Sequence, residues 1–145
     1  MNKVEYALSC FKGGFNCAQS VFSTYAKQFG LDKELALKIS SPFGGGMARM
    51  GKTCGAVTGA FMVIGLKHGK TKDDDEEAKQ ETYRLVNEFV KRFKFRNNTI
   101  LCKELINCDL SKPDGLLFAR ENNIFTEICP KFVQDAIEII EELLE

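Results

Sequence analysis

The sequence predicts an all-α fold: a single-domain helical bundle over residues 1–145, of about five to seven helices, with a central buried helix near 54–66. Three observations point there. Apolar residues recur at i, i+3, i+4 and i+7 along most of the chain, and no stretch reads convincingly as a strand. The segment from Cys54 to about Leu66 is apolar on every side, which suits an enclosed helix. A length of 145 residues suits one domain, and no repeat, low-complexity tract or Pro/Gly/Ser-rich linker divides it.

Val4, Ala7, Leu8 and Phe11 share one face of a first helix, stopped by Gly13-Gly14. Asn16 caps a second, whose Ala18, Val21, Phe22, Tyr25 and Phe29 lie on one face until Gly30. Asp32 caps a short third helix, with Leu35, Ala36 and Ile39 inward and Pro42 ending it. A glycine-rich loop, Phe43 to Gly51, follows, and Thr53 is expected to cap the central helix. At about 13 residues that helix spans roughly 20 Å, whereas a bilayer crossing needs about 20 residues. Its Gly55-x-x-x-Gly59 spacing reads as close backbone packing rather than a membrane dimerisation face.

A long helix is expected from Asp73 to Arg96, with acids first and bases last to match its dipole. Ala78, Tyr83, Val86, Phe89, Val90 and Phe93 form its core stripe, while Lys91, Arg92, Lys94 and Arg96 read as a solvated last turn. Short helices are expected after Thr99 and after Ser111, where Ser111-x-x-Asp114 makes a capping-box-like start. The last helix begins near Pro130, with Phe132, Val133, Ala136, Ile137, Ile140, Leu143 and Leu144 at helical spacing.

Twenty Lys+Arg balance twenty Asp+Glu, which leaves no electrostatic footprint for nucleic acid or an anionic membrane. Neither a nucleic-acid partner nor membrane insertion is therefore expected. A single histidine, His68, excludes multi-His metal sites; placed after the buried helix, it reads as a partner for the helix dipole. The opening MNKVEYALSCFKGG lacks a continuous apolar run, so the chain reads as cytoplasmic. Six cysteines are many for such a chain, and in a reducing compartment they point to metal binding or redox chemistry.

Gly46 to Thr53 fits the phosphate-loop pattern G-x-x-x-x-G-K-[ST], with Lys52 and Thr53 in the positions for phosphate and magnesium. A phosphate loop needs a preceding buried strand, and Ala36 to Pro42 is too short and too helical. Nucleotide binding at 46–53 is therefore a minor alternative.

The cysteines are Cys10, Cys17, Cys54, Cys102, Cys108 and Cys129, with no C-x-x-C among them, so any shared site draws on thiols distant in sequence. Cys17, Cys54, Cys102 and Cys129 fall at or beside expected helix starts, where the dipole and free amides favour thiolate. Cys10 and Cys108 read as small buried hydrophobes.

Five stretches carry a resemblance: Asn16-Cys17-Ala18-Gln19-Ser20-Val21, Phe43-Gly44-Gly45-Gly46-Met47, Cys54-Gly55-Ala56-Val57-Thr58-Gly59, Cys102-Lys103-Glu104-Leu105, and Cys129. Together they resemble the family of redox-active proteins named for a C-GCAxxG-C-C cysteine pattern. The resemblance implies a redox role for Cys17, Cys54, Cys102 and Cys129. It also implies that the glycine loop and buried helix present Cys54 beside a closely approached backbone, which makes Gly44, Gly45, Gly46, Gly55 and Gly59 candidate cofactor contacts.

Two readings of function follow. In the first, the four thiols form a redox site for thiol–disulfide exchange or electron transfer, with Cys54 the attacking thiolate and Cys17 its first partner. The partner is then a redox protein or a small thiol, with a homodimer left open, and four cysteines allow three disulfide connectivities. In the second, the same four thiolates hold zinc or an iron–sulfur cluster.

Overall fold

The computed structural model describes residues 1–144, and their architecture is all-α. Helix α1 (Lys3–Lys12) starts at Asn2, whose side chain accepts the Glu5 amide while Glu5 reaches back to the Asn2 amide. The same reciprocal box, Asn16 with Gln19, starts α2 (Cys17–Ala26), which runs on as a 3-10 turn to Phe29 before Gly30, at φ 83°, ends it. Asp32 caps α3 (Lys33–Ser40) by accepting the Leu35 amide.

Helix α4 (Gly55–His68) is the central element, and α2 is its main neighbour. Its first six residues, Gly55 to Ala60, are all buried, whereas its last turn reaches the surface. Helix α5 (Glu76–Asn97) starts at the Asp75 cap and buries Leu85, Phe89 and Phe93 against α4 and α9. Short α6 (Cys102–Ile106), then α7 (Pro113–Glu121) and one-turn α8 (Ile124–Glu127), lead to α9 (Cys129–Leu143). Helix α9 packs on α1, α2, α4 and α5 and contributes Phe132, Val133, Ala136, Ile137, Ile139 and Ile140 to the core. Asp135, buried on α9, accepts from Lys131, Asn97 and Arg96, which ties α9 to the end of α5.

Several local expectations change. Leu35 and Ile39 are about half exposed, because α3 turns its small residues Ala36 and Ser40 inward instead. Tyr83 faces solvent and Leu85 takes its place in the α5 stripe. Thr53 does not cap α4: it pairs with Leu101 in an isolated antiparallel bridge, and Cys54 is the capping residue. Thr99 lies outside α6, where its hydroxyl accepts the Leu101 amide and donates to Glu104. Ser111 bonds to Asp109 rather than forming a box with Asp114, and α7 begins at Pro113. Helix α8 was not expected at all.

No helix among the described residues is long and apolar enough to cross a membrane.

Candidate redox site

Each of the four singled-out cysteines stands at a helix start: Cys17, Cys102 and Cys129 are the first residues of α2, α6 and α9, and Cys54 caps α4. The packing of α2 against α4 brings the first pair together. A Cβ on Gly55 would lie 3.1 Å from the Cys17 Cβ, and one on Gly59 would lie 2.9 Å from the Ala18 carbonyl oxygen. The Thr53–Leu101 bridge brings α6 alongside α4. In it the Cys54 amide donates to the Ile100 carbonyl at 2.7 Å, and the Cys102 amide donates to the Lys52 carbonyl at 2.6 Å. Helix α9 completes the group, because its first residue, Cys129, lines the same cleft as Cys17 and Cys102 and lies near enough to raise the Cys17 thiol.

The four thiols titrate differently. Helix starts favour thiolate, yet burial wins at two of them. It pushes Cys54 up to about 12, against the pull of the Ala56 and Val57 amides. It pushes Cys102 up to about 12 as well, reinforced by its neighbours Cys54 and Cys129. Cys17 stands well above the ordinary thiol range, first through the neighbouring Cys129 and then through burial. Cys129 alone is lowered, because the Cys17 thiol stabilises its thiolate more than burial opposes it. The expectation that a helix start activates Cys54 thus meets a larger desolvation cost.

Cys17, Cys102 and Cys129 line a cleft of about 920 Å³, whereas buried Cys54 is not among its lining residues. Leu8, Phe11, Phe15, Ile106, Leu110 and Phe125 form apolar walls, and Lys12 and Arg49 bring positive charge. Sequence reasoning missed both cations; an arginine inside a glycine-rich loop was the available signal for Arg49.

That loop has an unusual backbone. Gly45, Gly46, Met47, Ala48 and Arg49 are consecutive residues at φ between 50° and 68°, in the left-handed region. A non-glycine residue pays roughly 1–2 kcal/mol for that geometry, and strained backbone of this kind clusters at functional sites. Gly46 is required for packing too, because a Cβ there would lie 2.7 Å from the Cys102 Cβ. Gly44 and Gly45 line the cleft, whereas Gly55 and Gly59 pack closely against α2 and are not among the cleft's lining residues.

The phosphate-loop alternative is overturned. A 3-10 turn, Ser41–Phe43, precedes the loop where a strand is needed. The amides of Met47, Arg49, Met50, Gly51 and Lys52 already donate to carbonyls of Phe43, Gly44, Met47, Gly45 and Gly46, so they cannot cradle a phosphate.

The metal alternative fits poorly as well. Among the described residues, no group of three or more His, Cys, Asp or Glu side chains could hold a metal ion. The four thiols are near enough to influence one another yet lack the convergence of a metal cage. All six cysteines are free. Cys10 is buried in α1, while half-buried Cys108 lies near enough to Cys102 to raise its thiol and is itself raised by burial and by Cys129. Cys108 therefore belongs to the fringe of the site. His68 stands at the far end of α4 from Cys54.

The family described as "Putative redox-active protein (C_GCAxxG_C_C)" matches residues 15–143. The chain belongs to this family. The match takes in Cys17, Cys54, Cys102 and Cys129 together with the glycine loop. Neither the curated proteins nor the solved structures contain a match to the chain.

Proposed function

We propose that the protein is a thiol–disulfide redox protein whose working pair is Cys129 and Cys17. The observation that carries this reading is that Cys17 and Cys129 stand on the wall of one cleft and influence each other's protonation, with Cys129 shifted toward thiolate and Cys17 toward thiol. Cys129 is thus the nucleophile in place of Cys54. Cys54 and Cys102 hold their protons and complete the thiol cluster around the pair.

The chemistry balances within this chain and one disulfide substrate. The Cys129 thiolate attacks one sulfur of the substrate disulfide, forming a mixed disulfide and releasing the first substrate thiolate. Cys17 gives up its proton and attacks the Cys129 sulfur. The Cys17–Cys129 disulfide forms and the second substrate thiolate leaves. Two electrons pass to the substrate, and two protons from the cysteines or solvent complete its two thiols.

The test is alkylation of the reduced protein near neutral pH, with each cysteine followed by mass spectrometry, and disulfide mapping after mild oxidation. Cys129 should react first, and a Cys17–Cys129 disulfide should form and be reversed by reductant. Alkylation of Cys54 ahead of Cys129, or the absence of that disulfide, would overturn the reading.

A further inference from the structure

The cleft limits what can reach Cys129. Three thiols line it, Cys102 and Cys129 are buried, and Phe11, Leu110, Phe125 and other apolar residues line the same cleft. A volume of about 920 Å³ lies in the range that encloses a small organic molecule rather than the flat surface of a folded partner. A disulfide on a rigid protein surface would have to be carried past those walls to meet the thiolate.

Charge narrows the ligand further. Lys12 and Arg49 both line the cleft and both are exposed. No Asp or Glu lines it, and among the described residues neither cation makes an ion pair, although nine other pairs form elsewhere. Arg49 is also held at φ 67°, in the strained left-handed run, with its Cα 3.0 Å from where a Gly45 Cβ would stand. The loop thus anchors the backbone of Arg49, whose guanidinium is a planar donor suited to carboxylate or phosphate, beside an apolar cleft with thiols in its wall.

We infer that the cleft takes a low-molecular-weight disulfide with an apolar body and at least one anionic group, held by Arg49 and Lys12 so that its sulfur meets Cys129. This rests on the proposed Cys129–Cys17 exchange and specifies its substrate class. The anion is a carboxylate or a phosphate, either of which the same two cations would pair.

The experiment compares three oxidants of the reduced full-length protein: the dianionic aromatic disulfide of thionitrobenzoate, the uncharged dipyridyl disulfide, and insulin as a protein disulfide. The readout is the ratio of the rate constants for the charged and uncharged small disulfides. That ratio should fall about tenfold or more in Arg49→Glu and in Lys12→Glu, recover in Arg49→Lys, and fall with added salt in the native protein. Insulin should react far more slowly than either small disulfide. An unchanged ratio in both charge-reversal variants overturns the anion recognition. Insulin reduction as fast as that of the small disulfides overturns the substrate class. Failure of every oxidant to form the Cys17–Cys129 disulfide instead defeats the exchange reading itself.

Discussion

Gly46 and Cys102 are packed so closely that a methyl group on the glycine would lie 2.7 Å from the cysteine Cβ. The same added carbon would stand 2.6 Å from the Lys52 backbone nitrogen, and the residue already sits at φ 68°. Gly46→Ala should therefore cost about 2–4 kcal/mol, combining left-handed strain with overpacking against backbone. Urea unfolding with native and variant protein side by side measures it; a loss below about 0.5 kcal/mol would mean that the loop yields easily.

Gly59 and Gly65, both within α4, should behave oppositely. A Cβ at Gly59 meets the Ala18 carbonyl oxygen at 2.9 Å and the Val21 Cβ at 3.1 Å, whereas one at Gly65 meets nothing within 4 Å. Gly59→Ala should destabilise by about 1–3 kcal/mol through overpacking. Gly65→Ala should stabilise by about 0.5–1 kcal/mol, because alanine loses less backbone freedom in a helix. Thermal melts of the two variants provide the check.

Alkaline pH should weaken the fold. Cys54 and Cys102 are each raised to about 12 when folded, from an ordinary value near 9, so the unfolded chain releases those protons first. Their contribution is complete below pH 9 and is lost as pH rises from there toward 12, at up to about 1.4 kcal/mol per group per pH unit. Denaturant midpoints from pH 8 to pH 11 should fall more steeply in native protein than in Cys54→Ala. Parallel slopes would show that burial does not hold the Cys54 proton.

Asp135 should matter for the opposite pH range. Burial raises its carboxyl, but bonds from Lys131, Asn97 and Arg96 outweigh burial and leave it below the ordinary value. Because its partners are partly exposed, Asp135→Asn should cost about 2 kcal/mol rather than the 3–5 kcal/mol of a fully enclosed pair. That contribution is present above the unfolded value near 4 and disappears as pH falls through the folded one. Native and variant stabilities should accordingly converge in acid, which denaturant titrations at pH 7 and pH 3 would show.

How far the sequence could be read depended on whether the deciding interaction was local. Asn16 with Gln19, and Asp32 with Leu35, are contacts within one turn, and each starts its helix as expected. Thr53 looked equally like a cap, yet its place is decided by Leu101 across the molecule. Leu35 and Ile39 followed helical spacing, but α2 receives the small side of α3. At the site, the four helix-start cysteines were visible in advance because caps leave sequence marks. Which thiol loses its proton was not, since that turns on burial at Cys54 and on the nearness of Cys17 to Cys129 across the fold.

The Thr53–Leu101 bridge also governs how the gene can change length. It fixes Cys54 against Ile100 and Cys102 against Lys52, so adding or deleting one codon within 51–54 or 100–103 would offset the two cysteines and flip alternate side chains to the other face. The connection 70–74 between α4 and α5, inside the Gly69 and Asp75 caps, takes no part in that bridge, so residues gained or lost there leave its register unchanged. Chains built on this plan can therefore vary in length at the α4–α5 connection, between the cysteines that correspond to Cys54 and Cys102, while the few residues flanking each one must keep their count.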